Sequence, residues 1–148
     1  MEPNLSVLLD IEAIKSLKAR YFRCMDTRDW EGLRLCFTED LVADFRAAPG
    51  MLSQGRDNYM SALKEALTGA QTVHHGHTPE ISIVNQHEAE GTWAMEDLVE
   101  LPSLSLQGWG HYHERYRREQ EGWKICYIRL SRLRLMINGE LQSHSQEC

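Results

Sequence analysis

Across residues 5–25 the apolar side chains Ile11, Ile14, Leu17, Tyr21, Cys24 and Met25 recur at steps of three and four, while Lys15, Arg20 and Arg23 fall mostly on the other side. That is the period of an amphipathic helix. A second, short helix is predicted over 30–37, with Asp29 placed to cap it and Trp30, Leu33 and Phe37 forming one stripe. Residues 41–45 read as a strand. After the turn Ala47-Ala48-Pro49-Gly50, helical spacing returns over 56–67 through Tyr59, Met60, Leu63 and Leu67, and Gly69 ends it. The pattern then changes to long strands at 72–85, 88–101, 107–120 and 123–134, separated by Asn85-Gln86-His87, Pro102-Ser103 and Glu121-Gly122.

Helices first and a meander of strands afterwards is an α+β order. Three amino-terminal helices are expected to pack on the concave face of a strongly curved antiparallel sheet, making a cone with an apolar pocket between the layers. There is no internal repeat, low-complexity tract or linker, so residues 1–148 are read as a single domain.

Composition narrows the partners. Sixteen Lys plus Arg against twenty-two Asp plus Glu leave a formal charge of -6, which gives nucleic-acid phosphates or an anionic membrane surface little to bind. No apolar run approaches the ~20 residues of a bilayer span, and Met1-Glu-Pro-Asn-Leu lacks the marks of a signal peptide. A cytoplasmic protein is expected. Cys24, Cys36, Cys126 and Cys148 form no C-x-x-C pair, so reduced thiols are expected, the first three in or near the core.

Candidate chemistry follows from side chains out of place. In the strand over 88–101, alternation puts Asp97 on one face with Gly91, Trp93, Met95, Val99 and Leu101, and a carboxylate there must be paired, hydrogen-bonded or protonated. On the first helix Tyr21 is central in the apolar stripe and Asp26 lies at its edge near the end, both able to overhang a pocket. His74, His75 and His77 are dense, with His111 and His113 on a neighbouring strand. Two H-x-H pairs are compatible with a metal, but no carboxylate follows at the customary offset, and a metal-free general base is the more economical reading. Parity leaves open which histidine points inward, because Gly76 and Pro79 can shift the register. Arg129 shares a face with Trp123, Ile125 and Tyr127 by simple alternation, and either binds an anionic substrate group or pairs with Asp97 or Glu96. Arg115, Arg117, Arg118, Arg132 and Arg134 complete a basic stretch that reads as a solvated outer face or a subunit contact.

The stretches DIEAIKSLKARYFRCMD at 10–26, Trp30, HHGHTPEI at 74–81 and GTWAMED at 91–97 resemble the SnoaL-like branch of the nuclear-transport-factor-2-like superfamily, and within it the bile-acid 7α-dehydratases. The resemblance implies the same α+β cone, with a deep pocket for an apolar ligand. It also implies a catalytic group of Tyr21, Asp26, His74 and Asp97, working by acid–base elimination without metal or cofactor. Trp30, His77, Trp93 and Arg129 are assigned to substrate binding, with Arg129 near the pocket mouth where a coenzyme-A thioester or other anionic tail would reach it.

The expected function is therefore a cofactor-independent lyase or isomerase acting on an alicyclic, steroid-like or polyketide-like substrate. His74 moves the proton, Asp26 orients its imidazole, and Tyr21 with a protonated Asp97 bonds the oxygen where charge develops. The alternative is a small-molecule-binding or assembly module on the same fold. A homo-oligomer is expected from the resemblance, a trimer before a dimer.

Overall fold

In a computed structural model of the protein, which describes residues 5–143, helix α1 (Leu5–Thr27) buries Ile14, Leu17, Lys18, Tyr21, Cys24 and Met25 along one face. The predicted apolar stripe is thus the buried one, with Lys18 as an unpredicted charged member. The helix stops where Arg28 takes a left-handed φ of 61°. The Arg28 guanidinium turns back to the Met25 carbonyl and forward to the Thr72 hydroxyl and the Ala70 carbonyl, so the helix end is tied to the strand beyond α3.

Asp29 caps α2 (Trp30–Arg34) as expected, its carboxylate accepting from the Gly32 amide at 2.9 Å. The helix is shorter than its stripe suggested, because the fully buried Phe37 begins strand β1 (Phe37–Asp44). A hydrogen bond from the Ile125 amide to the Cys36 carbonyl commits this segment to the sheet. The short β2 (Leu52–Gln54) and α3 (Arg56–Ala66) precede β3 (Gln71–Ile83), β4 (Glu88–Leu101), β5 (Leu104–Glu119), β6 (Gly122–Ile137) and the two-residue β7 (Glu140–Leu141).

The strands form one sheet in the order β2-β1-β6-β5-β4-β3, with β7 on β6. The long meander is antiparallel, but β1 runs parallel to β6, so the expected antiparallel sheet is in fact mixed. Strand β1 reaches β6 across everything between them in sequence, the long crossover that a parallel pair requires. Local pattern does not report such a distant partner.

Bulges bend the sheet and reset its alternation. Register shifts fall between His77 and Glu80 on β3, between Trp109 and Gly110, and between Arg115 and Tyr116 where β5 meets β6. On the concave side of β4, Ala89, Gly91, Trp93, Met95 and Asp97 are buried in the predicted alternation. Helix α1 crosses this concave side close to Gly76, where a Cβ would lie 2.7 Å from the Phe22 ring and 3.3 Å from Trp93. The absent side chain leaves that space to the Phe22 ring.

Two charges sit inside the core. Lys18 and Glu114 are both fully buried and lie 3.1 Å apart. Glu114 also accepts from the Tyr116 hydroxyl, which in turn accepts from the Trp93 indole at 2.9 Å. Cys24 and Cys36 are buried and Cys126 half-buried, all three as free thiols; Cys148 lies outside the described residues. Among the described residues no helix is long and apolar enough to cross a membrane.

Removing one partner of a buried pair leaves an uncompensated charge, whereas removing both does not. Lys18→Met is expected to cost ~3–5 kcal/mol of unfolding free energy, and Lys18→Met/Glu114→Gln to recover most of it, as read by urea denaturation.

Candidate active site

Asp26, on the last turn of α1, points at the start of β3 and is held from three directions. It accepts from the His74 backbone amide at 2.8 Å, from the Thr72 hydroxyl at 2.9 Å, and lies 2.7 Å from His74 Nδ1. Burial by itself would push the Asp26 carboxyl up, but the hydrogen bonds from the His74 ring and backbone and from Thr72 outweigh it and hold the group below its ordinary range. Beside an ionised carboxylate, Nδ1 carries the proton and donates it. In the neutral tautomer that this bond selects, Nε2 is the nitrogen with the free lone pair, and His74 lines a cavity.

That cavity has a volume of about 250 Å³ and lies between α3, the concave sheet and the strap from Phe45 to Met51. Its walls are mostly apolar, with Met25, Leu63, Leu67, Val99, Leu106 and Leu130 among them. Polar groups line it as well. His74 and Asp97 are direct cross-strand partners on the inner face of β3 and β4. Tyr21, Tyr59 and Tyr112 also line the space, and the hydroxyls of Tyr59 and Tyr112 are both hydrogen-bonded to Tyr21. Burial raises all three phenols above their ordinary value, so they are neutral donors.

Asp97 is 7% exposed and salt-bridged to Arg132 through two contacts, Nη1 to Oδ1 at 2.6 Å and Nη2 to Oδ2 at 3.0 Å. The room for this pair comes from Gly108, the β5 neighbour of Asp97, where a Cβ would stand 2.6 Å from Asp97 Oδ1. Arg132 Nε donates to the Ala48 carbonyl at 3.1 Å, so the same side chain pins the strap at the cavity mouth. The protonated Asp97 expected from its apolar face gives way to an ion pair, because an arginine two strands away reaches it.

The catalytic set predicted from sequence is therefore brought together: Tyr21, His74 and Asp97 line the cavity and Asp26 stands behind His74. The predicted substrate-binding set is not. Arg129 lies on the outer face of β6 opposite His113 and between the buried Ile128 and Leu130. The bulge between Ile125 and Tyr127 reverses the alternation that had turned it inward. Arg132 is the inward arginine instead, and the count of residues from Trp123 could not reveal it without the bulge. His77 is exposed on the outer face, Trp30 packs half-buried against the core beneath Arg28 and Lys64, and Trp93 is a core residue whose indole is spent on Tyr116. None of the four lines the cavity. Tyr59, Tyr112 and Arg132 were missed, since each reads in sequence as an ordinary core or surface residue.

Of the basic stretch, Arg117 pairs with Asp40, Arg115 stacks on Tyr127 and Arg134 on Trp109 on the outer side, while Arg118 turns to α1, pairing with Asp10 over the Trp123 ring. On that same outer face the described residues bring one trio of ligand-type side chains together. His75, His77 and Glu96 place ligand atoms within 4.8 Å of one another, and hydrogen bonds from the two imidazoles hold the Glu96 carboxyl below its ordinary range. The carboxylate comes from the neighbouring strand, a placement that spacing along β3 cannot show. The trio is separated from the cavity by the sheet itself.

The sequence profile of the SnoaL-like domain family matches residues 6–129. Among solved structures the fold is shared with a nuclear-transport-factor-2-like protein with a cystatin-like fold from Novosphingobium aromaticivorans, at 19% identity and TM-score 0.73 over 87% of this chain and 85% of that one. A protein from the same species, provisionally described as a scytalone dehydratase, gives 24% identity and TM-score 0.77 over 87% of both chains. The hexachlorocyclohexane dehydrochlorinase LinA-type3 from Novosphingobium barchaimii gives 15% identity and TM-score 0.80 over 97% of this chain and 99% of that one. At these identities the likeness is one of fold.

A carboxyl whose folded pKa is depressed stabilises the native state above its unfolded pKa, and the contribution disappears as pH falls through the folded value. The stability lost in Asp26→Asn should accordingly be full at pH 6 and shrink below the ordinary value of 3.8, as read by urea denaturation of both proteins at pH 6 and pH 3.

Proposed function

The chain belongs to the SnoaL-like domain family, and from that premise we propose that it is a lyase or isomerase using the His74–Asp26 pair as its acid–base group on a compact hydrophobic substrate. The observation that carries the reading is the 2.7 Å contact between Asp26 and Nδ1 of a histidine that lines the cavity. A packing histidine has no need of a carboxylate fixed by two further hydrogen bonds. The fold's solved neighbours named as a dehydratase and a dehydrochlorinase, both names for eliminations, agree with it.

The residues divide the work of an elimination. His74 Nε2 takes the proton from the carbon next to a carbonyl, and Asp26 stabilises the imidazolium that forms. The enolate oxygen generated by that step accepts hydrogen bonds from the cavity phenols, Tyr21 foremost. Asp97 retains lone pairs beside its bond to Arg132 and orients the departing hydroxyl. As the C–O bond breaks and the C=C bond forms, the imidazolium returns the proton to the leaving oxygen and water departs. Returning the proton instead to a different carbon of the enolate is isomerisation, with the same parts.

The cavity volume bears on the substrate. About 250 Å³ is below the ~300–1,000 Å³ of pockets that enclose drug-sized ligands. A compact alicyclic hydroxy ketone fits within it. A larger polyketide-like or steroid-like molecule would place only its reacting end inside and leave the rest at the mouth beneath the 45–51 strap.

The decisive experiment screens cyclic β-hydroxy ketones and hydroxy thioesters for loss of water, then compares variants on the best substrate. His74→Ala is expected to lower kcat by ~10²–10⁴-fold with the melting temperature kept near that of the native protein, and Asp26→Asn to fall in the same range. Undiminished turnover in His74→Ala overturns the assignment. Binding of these ligands without turnover in the native protein supports the binding-module reading instead.

A further inference from the structure

The mechanism above leaves one buried ion pair unused. Lys18 lies on α1 one turn before Tyr21, with its side chain wholly inside the protein. Its ammonium stands 3.8 Å from the centre of the Tyr21 ring and 3.6 Å from that of Tyr112, with the Phe22 ring at 4.8 Å. The two tyrosine rings meet edge to face with centroids 6.0 Å apart, so the cation is wedged where it touches both. The same two tyrosines line the cavity. Glu114, on β5, contacts the ammonium at 3.1 Å and fixes its position.

Stability alone does not account for such a pair, since well-packed apolar side chains of similar volume commonly serve a core equally well or better. Its position does. A cation against an aromatic face draws on the ring's electron density, and a phenol so polarised is a stronger hydrogen-bond donor and a better host for neighbouring negative charge. We propose that Lys18 is a positioning residue acting through two rings: its ammonium, held by Glu114 against Tyr21 and Tyr112, strengthens those phenols as donors to an enolate- or phenolate-type oxygen in the cavity. The inference rests on the proposed role of the phenols and extends it to the class of ligand, an anionic oxygen on a flat apolar frame.

The groups facing Lys18 fit this assignment. Burial lowers its pKa and Glu114 pulls it back, to about 8, so the ammonium persists at neutral pH. Cys36 is a further ionisable neighbour, and burial raises its thiol to about 11, which leaves it neutral. Burial above all, then Asp97 for Tyr112 and Glu114 for both, opposes ionisation of the phenols, but the charge in contact with their faces is the ammonium. Arg132 reaches the cavity with its charge already matched by Asp97.

The test needs no turnover. Two probes of nearly equal shape are titrated at pH 7: a nitro-substituted hydroxynaphthalene that is anionic at that pH, and its neutral O-methyl ether. The protein is compared with Lys18→Met/Glu114→Gln, which removes both charges together and keeps the Asp97–Arg132 pair. The native protein is expected to prefer the anion by about tenfold or more. The double variant should bind both within about twofold, with its ether affinity unchanged and a cooperative melt showing that it is folded. Retention of the preference in the folded double variant, or no preference in the native protein, overturns the proposal. A purely structural pair would change the melt and leave the ratio alone. Failure of the elimination reading is seen separately, as an active His74→Ala protein, and does not alter the anion-to-ether ratio.

Discussion

Helix α1 lies so close to β3 at Gly76 that Phe22 occupies the space a side chain would fill. From that crossing the helix carries Asp26 forward to the amide and ring of His74 and Lys18 back into the core beneath Tyr21 and Tyr112. One helix thus supplies the carboxylate that meets His74, a cavity phenol and the charge behind it. Moving the axis outward by the thickness of a methyl group would lengthen each contact, and hydrogen bonds weaken steeply with distance. Arg28 fixes the remaining freedom by tying the helix end to Thr72 and Ala70 at the start of the same strand.

Several charged groups lie in the interior, and they are matched. Lys18 meets Glu114, Arg132 meets Asp97 in a two-point contact, and Asp26 meets the donors of His74 and Thr72. Away from water such partners interact strongly, and an unmatched one would be costly. The polar groups share the cavity with apolar side chains: Tyr112 and Leu130 are direct cross-strand partners, and Tyr59 and Leu63 come from the same helix.

Arg129 and Arg132 show how a single inserted residue redistributes function. On a regular strand Arg129 would face the core with Ile125 and Tyr127. The extra residue between Ile125 and Tyr127 turns Ile128 and Leu130 inward, sends Arg129 out to His113, and brings Arg132 to Asp97. A second bulge, where β5 passes Trp109 and Gly110, accompanies the bend that closes the cone over this pair. The glycine at 108 then leaves room for both side chains. Curvature, cavity and ion pair have the same origin in the irregularities of two strands.

What the amino-acid order determined by itself is whatever depends on near neighbours. The period of Ile14, Leu17, Tyr21 and Cys24 specifies α1 and its buried face, alternation through Trp93, Met95 and Asp97 specifies the inner face of β4, and Asp29 caps α2. The family motif placed Tyr21, Asp26, His74 and Asp97 as one group, and they do converge. The tertiary structure alone decided the parallel pairing of β1 with β6, the inward turn of Arg132, the outward turn of His77 and Arg129, and the burial of Lys18 against Glu114. Those features depend on partners far away along the chain or on bulges, and a bulge carries no compositional mark strong enough to be counted. Periodicity survives in a sequence because it repeats; a register shift happens once, and only the strand beside it records where.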